Sequence, residues 1–524
     1  MNKNSIYIFF IIFFNFFKKK YQKYFYINEQ FKNKIKIYKN RIIYIYDNNI
    51  FEDKDLIRGN YRKNIKKYKE ILIRVVSKRN KFNYKIDNKY YSRKIYPEKI
   101  NFLNLNTDRS NSILIKGYKD TKIFRPILTK KKSKKKLVLA LLVDGFGHDI
   151  LNYLPNSKKF FGMNNLFTNV WANSNWTLPS YGNFITGKYA ANHKGYESEG
   201  KYNSKKIISY KTKMNIYEYF SNLDFVTGCY SPYMRINPTY NSAKGADIFC
   251  HNDFFDANQM TENIISQIEM FKNNSNFIFA HFFDGHGPRY KKIRMQEAVH
   301  LSKNNRNFDQ SNNKKKSRAV AEIKYEDEIE TVGMFKYIDT QLNKLYEFLK
   351  SKKFDDYTII LFGDHGTRLG SNVKNNFLLS NNICNINLFV KDKKKTFNSA
   401  QRKKIIQMID FYPSLAARYP YKNTSLVIKE TDGINSIFSK AKNNFSLTET
   451  QYNAKVLPER PYEINVRKNN NQLYSINSFK KDKITKSSNI FLNKSQKKID
   501  INKINKNSVN QLLSIKNKHI KQYD

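Results

Sequence analysis

LVLALLVDGFGHD, residues 137–149, and NSNWTLPSYGNFITG, residues 173–187, decide the fold. Leu137 to Val143 is an unbroken apolar run, the pattern of a parallel strand buried on both faces, and it ends on Asp144 beside a glycine. Open α/β sheets place their ligands at the carboxyl ends of such strands. In the second stretch Thr177 precedes Leu178-Pro179-Ser180 and an apolar, small-residue run, Tyr181 to Gly187, that can form a helix. A helix starting there aims unpaired N–H groups at whatever Thr177 binds. Far downstream, Tyr357 to Phe362 (YTIILF) repeats the buried-strand pattern and runs into Gly363-Asp364-His365-Gly366. Asp144, Asp364, His365 and the Thr177 hydroxyl are the ligand types that hold a divalent cation and activate a hydroxyl nucleophile. Each alone has a plainer reading: strand ends carry polar turn residues, and a Thr before Leu-Pro commonly caps a helix.

Outward from these stretches the chain alternates helix and strand, as a parallel sheet requires. Ile207 to Phe220 and Thr261 to Phe271 read as amphipathic helices, and Asp224 to Tyr230 and Asn276 to Phe283 as strands. Tyr325 to Leu349 carries Ile329, Val332, Ile338, Leu342, Leu345 and Leu349 mostly three and four residues apart, a long helix with one apolar face leading into the strand before Asp364. Residues 289 to 320 read as an insertion loop near the site, of the kind that sets substrate choice. Pro461 to Ile476 reads as a hairpin of a small C-terminal sheet. The chain therefore divides into a basic N-terminal extension (1–134), a catalytic domain (135–425), a small C-terminal subdomain (426–478) and a Lys- and Asn-rich tail (479–524) expected to be mobile.

Lys and Arg outnumber Asp and Glu by 95 to 44 in the 524 residues, a formal charge of +51. Read alone, that balance suggests nucleic acid or an anionic surface. Lys, Asn, Ile, Tyr and Phe are overused together and share A/T-rich codons, so codon bias explains the charge without a polyanionic partner. No nucleic-acid module is visible, and no specific nucleic-acid binding is expected. Three widely spaced cysteines give neither a disulfide framework nor a zinc-ribbon spacing. Ser5 to Phe17 (SIYIFFIIFFNFF) is apolar and followed by three lysines, but as a helix it would span only ~20 Å of a ~30 Å hydrocarbon core. Without a small-residue cleavage pattern it reads as a weak membrane-surface anchor or an accident of composition, so a cytoplasmic or membrane-associated location is expected ahead of secretion.

Five ordered motifs give the core region a family likeness. A strand ending in Asp144-Gly145, the segment Thr177-Leu178-Pro179-Ser180 through Thr186-Gly187, HFFDGHGPRY at 281–290, Asp364-His365-Gly366 with Leu369-Gly370, and Ile409-Asp410-Phe411-Tyr412-Pro413-Ser414-Leu415 together resemble the sulfatase family of the alkaline-phosphatase-like superfamily. The likeness covers roughly residues 135 to 425. It implies an α/β fold with a mostly parallel sheet flanked by helices, and a metal-dependent hydrolase or transferase acting on phosphate or sulfate esters. It also implies one divalent cation (calcium, manganese, zinc or magnesium) held by Asp144, Thr177, Asp364 and His365, with Thr177 as nucleophile. His286 is then a substrate contact or the acid that protonates the leaving oxygen, Arg289 is a substrate contact, and His281 is a lesser candidate contact whose place in an apolar strand also suits a satisfied core residue. The expected partner is an ester borne on a glycan or on a lipid-linked phosphate or sulfate.

The chain also departs from that pattern. Sulfatases that use an aldehyde hydrate make it from Cys or Ser in a Cys/Ser-x-Pro-x-Arg segment, whereas Thr177 stands first here and Tyr181 last. Oxidised threonine would be a ketone. The family's Lys-x-His pair has Lys201-Tyr202-Asn203 as its nearest match. Superfamily members with an unmodified Thr, the phosphoethanolamine and phosphoglycerol transferases, pass a phospho-group through a covalent Thr intermediate, and His286-Gly287-Pro288-Arg289-Tyr290 is similar to theirs. Only His519 follows His365, so a second metal site is not expected. Two other readings stand beside this one: a catalytically degenerate sulfatase-like domain that binds a glycan or anionic polymer, and a basic nucleic-acid-binding protein.

Overall fold

The computed structural model describes residues 34–521 except 39–40, 48, 53–54, 108, 117–118, 131–133, 196–209, 234–235, 237–241, 253–254, 287–324, 368–377, 423, 435, 440–443, 451–461, 469–470 and 481–482. Ser5 to Phe17, Arg289, the 289–320 insertion and Lys201-Tyr202-Asn203 lie outside the described residues. Among those described, no helix is long and apolar enough to cross a membrane.

Lys136–Val143 lies beside the central strand of an eleven-stranded mixed sheet. It pairs in parallel with Ser275–Phe282 on one side and Asp356–Gly363 on the other, and Phe225–Ser231 continues the parallel set. Its side chains alternate between two cores. Val138, Ala140 and Leu142 pack with the helices Thr177–Thr186, Ile216–Asn222 and Phe411–Arg418. Leu137, Leu139, Leu141 and Val143 face Pro155–Phe161, Ala257–Met270 and the long helix Tyr325–Ser351. An uninterrupted apolar strand is the consequence of having helices on both faces. The fold class is therefore as expected, α/β with helices flanking a mostly parallel sheet.

The register decides where the chemistry lies. Val143 is level with both Phe282 and Gly363, so the next residues, Asp144 and Asp364, leave neighbouring strands side by side at the carboxyl edge. His281, opposite Leu142, stands one residue below that edge.

Two expectations about the flanks need correction. The N-terminal region is more than a basic extension: Lys34–Tyr38, Arg41–Tyr46 and Asn49–Glu52 extend the main sheet, and residues 56–130 build two four-stranded antiparallel sheets around one apolar core. The segment 479–524 is not a loose tail. Lys483–Asn493 completes an antiparallel sheet with Phe445–Glu449, Tyr462–Lys468 and Asn471–Lys480, carrying that sheet past residue 478. The helix Lys506–Ile520 then buries Val509, Leu512, Lys516 and His519, and His519 Nε2 lies 2.8 Å from the fully buried Glu449 carboxylate. A buried imidazole on a buried carboxylate anchors the segment, an interaction that Lys- and Asn-rich composition conceals.

Candidate active site

Asp144 is 1% exposed, Asp364 0% and Thr177 2%, so two carboxylates and a hydroxyl meet in a place closed to bulk water. Thr177 is the first residue of a ten-residue helix whose every residue is buried, and its Oγ1 donates to Asp144 Oδ2 at 3.1 Å. The same Oδ2 accepts from His281 Nε2 at 3.2 Å, and His281 Nδ1 lies 3.4 Å from Ser231 Oγ, which in turn accepts from Tyr233 N at 3.1 Å. This relay runs from backbone to serine to histidine and fixes the orientation of Asp144, leaving its Oδ1 turned the other way.

Asp364 is divided in the same manner. Oδ1 accepts from Gly145 N at 3.0 Å and from His365 N at 2.9 Å. Asp144 Oδ1 and Asp364 Oδ2 are buried and accept no hydrogen bond among the described residues. Both face His365 Nε2, at 3.9 and 3.3 Å, while His365 Nδ1 donates to Gly366 O at 3.0 Å. With Nδ1 holding the proton, Nε2 presents a lone pair to the same space as two carboxylate oxygens. The three ligand atoms lie within 4.8 Å of one another. Buried carboxylate oxygens without donors are costly unless a cation joins them, so this cluster fits one divalent ion of the oxygen- and imidazole-binding kind.

The electrostatics agree. Burial alone would raise Asp144, but the His286, His281 and His365 imidazoles outweigh it and hold that carboxyl down at about 2. Burial and the adjacent Asp144 raise Asp364. Burial works to lower His365, yet Asp364 and Asp144 raise it.

Gly145 and Gly366 make the two strand ends possible. Gly145 adopts φ +72°, and a Cβ there would sit 2.8 Å from Thr367 Cγ2. At Gly366 a Cβ would lie 1.9 Å from the backbone oxygen of Asn382, which has little freedom to retreat. Gly366→Ala is therefore expected to move the carbonyl that orients His365, weakening metal affinity by about 10- to 100-fold with modest loss of fold stability. Titration of the metal-free protein with manganese or zinc, followed by calorimetry, checks this. Wild-type affinity in that variant would refute the positioning role.

Not every anticipated residue meets the cluster in the expected way. Of the two readings of His281, the structure has the arrangement of a satisfied core residue and not of a substrate contact: it is 0% exposed and its ring nitrogens face Asp144 and Ser231. His286 lies just beyond the end of its strand, stacked on Phe283 with ring centroids 4.5 Å apart, near enough to influence Asp144. Asp410, from the last of the five motifs, is structural: its carboxylate accepts from Gln407 N and Ile434 N, each at 2.8 Å. Tyr181 is also turned away, with its hydroxyl donating to Ser242 O at 2.5 Å and lying 3.0 Å from the Tyr217 hydroxyl. Ser231 was missed. Its one signal is that it ends a strand beside the site, 50 residues before its partner. A cavity of about 280 Å³ lined by Lys136, Asp356, Arg418 and Tyr419 lies at the opposite ends of the strands, where Arg418 is paired with Asp356 and Asp392.

A family model described as Sulfatase matches residues 143–419. No curated protein matches the sequence. Among solved structures, a Bacteroides thetaiotaomicron protein studied for the metabolism of multiple glycosaminoglycans is 14% identical, with a TM-score of 0.51 over 75% of this chain and 97% of its own. Ps i-CgsB is 13% identical, with a TM-score of 0.53 over 75% of this chain and 94% of its own. Its complex with k-i-k-neocarrahexaose gives 12% and 0.52 over the same shares. At these identities the likeness is one of fold.

Proposed function

The chain belongs to the sulfatase family, whose model spans more than half of it, and from that membership we propose a metal-dependent phosphoester hydrolase or transferase with Thr177 as its nucleophile. The observation that carries the reading is the convergence of Asp144 Oδ1, Asp364 Oδ2 and His365 Nε2 beside a hydroxyl at a helix start. In this reading the cation is held by those three groups and the Thr177 oxygen, and when bound it lowers the hydroxyl pKa and offsets charge on the transferring group. Asp144 Oδ2 accepts the Thr177 hydrogen bond and so orients the nucleophile. His281, held by Ser231, keeps Asp144 in that orientation. Thr177 Oγ1 passes its proton to Asp144 Oδ2 as it forms a bond to phosphorus and the bond to the leaving oxygen breaks, and His286 supplies the leaving oxygen's proton. Water or an alcohol then attacks the Thr177 ester, returning its own proton to His286, and Thr177 Oγ1 takes its proton back from Asp144 as the ester bond breaks. The first-turn N–H groups of Thr177 and Leu178 add fixed dipoles on the same side.

Phosphate is preferred to sulfate because an unmodified threonine cannot supply an aldehyde hydrate, and because Tyr181 occupies the family's arginine position with its hydroxyl engaged elsewhere. For the carrier of the ester a glycan is proposed first, since one fold neighbour was solved with k-i-k-neocarrahexaose. Aryl phosphodiesters and aryl sulfates assayed side by side, with and without added manganese, zinc, calcium or magnesium, test the reading. Metal-dependent turnover of the diester ahead of the sulfate is expected. Turnover of the sulfate with the diester untouched would reverse the assignment.

A further inference from the structure

The N-terminal sandwich has a surface that the catalytic reading leaves unused. One of its two sheets is ordered Tyr61–Asn64, Ser112–Ile115, Lys81–Ile86 and Lys89–Lys94. Phe82, Tyr84, Ile86, Ile113 and Ile115 point inward to the shared core. Residues opposite one another on paired strands share a face, so the pairs Lys81 with Lys94, Lys85 with Tyr90, and Leu114 with Arg62 point outward. Lys89–Lys94 is exposed at every residue and lies at the edge of its sheet.

This face is more one-sided in charge than the chain as a whole. The outward positions of the four strands carry four Lys or Arg (Arg62, Lys81, Lys85 and Lys94) and no Asp or Glu. At the chain-wide ratio of 44 acids to 95 cations, four cations would come with about two acids. Lys81 and Lys94 are directly opposed, an arrangement of like charges that weakens a ladder unless an anion lies between them. The face also carries a ring. Tyr90 is 71% exposed, with Lys85 Nζ 5.1 Å from its centroid, and Tyr96, just past the strand, is 75% exposed. Of the seven large exposed apolar side chains among the described residues, Tyr96 and Tyr90 are the two most exposed. Such clustering marks an interaction surface.

We propose that this sheet face binds an anionic polysaccharide, with Arg62, Lys81, Lys85 and Lys94 meeting its sulfate or carboxylate groups and Tyr90 covering the apolar face of a sugar ring. Single-stranded nucleic acid is the poorer match, because such sites stack successive bases on several rings and the outward face of these strands presents one. The inference deepens the functional reading above, in that a polymer held here would carry the ester to be cleaved, yet binding at the sheet is measured without turnover.

The test uses the full-length protein with a fluorescent heparin oligosaccharide, the same oligosaccharide after desulfation, and oligo-dT, at about 0.15 M salt, where unspecific contacts are largely screened. Combined Lys81→Glu, Lys85→Glu and Lys94→Glu should weaken heparin binding by about tenfold or more. Tyr90→Ala should weaken it severalfold, and the desulfated probe and oligo-dT should bind more weakly than heparin. Lys85→Gln alone gives the same direction of change if the triple variant does not fold. Thr177→Ala should bind heparin as the wild type does, so failure of the catalytic reading is seen separately. Heparin binding untouched by the lysine changes, or oligo-dT binding as tightly and indifferent to Tyr90→Ala, would overturn the proposal.

Discussion

Thr177→Ala is expected to abolish turnover, by a factor on the order of a hundred thousand, the loss seen when a covalent nucleophile is deleted. The fold should survive it. Among the described residues the side chain makes one hydrogen bond, to Asp144 Oδ2, and its removal costs ~1 kcal/mol in a helix otherwise packed along its length. Thr177→Ser should retain measurable activity, because it keeps the hydroxyl at the helix start and loses only a methyl group. Intact-mass analysis of a quenched reaction should show the wild type heavier by the transferred group, with the addition mapped to the peptide containing Thr177. An alanine variant that turns over substrate at the wild-type rate, with the metal in place, would remove Thr177 from the mechanism.

Much of this site can be read from the sequence, for a reason that lies in the sheet. Leu137 to Val143 and Tyr357 to Phe362 are apolar without interruption, and such strands have only one kind of place in a fold, the middle of a covered parallel sheet. Once they are neighbours, the residue after each strand faces the same edge, and Asp144 and Asp364 meet. The His281 arrangement is not legible in this way. Its partner Ser231 ends another strand and looks like any polar turn residue until the register brings Phe225–Ser231 beside Ser275–Phe282. The flanks were obscured by composition. In KFNYKI the buried positions are Phe82, Tyr84 and Ile86, but the alternating lysines and asparagine make the segment resemble the surrounding basic chain. In Lys506–Ile520 the buried face includes Lys516 and His519, bonded to Ser487, Asn489 and Glu449, so a count of apolar residues misses half of its anchors.

The metal assignment makes the second large prediction, and its force comes from two effects of opposite sign. Asp364→Asn preserves the shape of the site: the amide oxygen can still accept from Gly145 N and His365 N, while the nitrogen replaces Oδ2, which accepts no hydrogen bond among the described residues. It removes one of two buried carboxylates that repel each other. The metal-free variant should therefore melt at or above the temperature of the metal-free wild type, since an uncompensated buried charge has been deleted. The wild type should bind close to one divalent ion per chain, and an ion supplied at a hundred times its dissociation constant should stabilise it by about 2.7 kcal/mol. That gain should vanish in Asp364→Asn, along with turnover. Because His365 and Asp364 are both raised and must give up protons to ligate, the wild-type gain should also shrink as the pH falls. Thermal melts with chelator and with added manganese or zinc, combined with elemental analysis, measure each part. A metal-dependent rise in melting temperature that persists in Asp364→Asn, or two ions bound per wild-type chain, would show that the cation is held elsewhere.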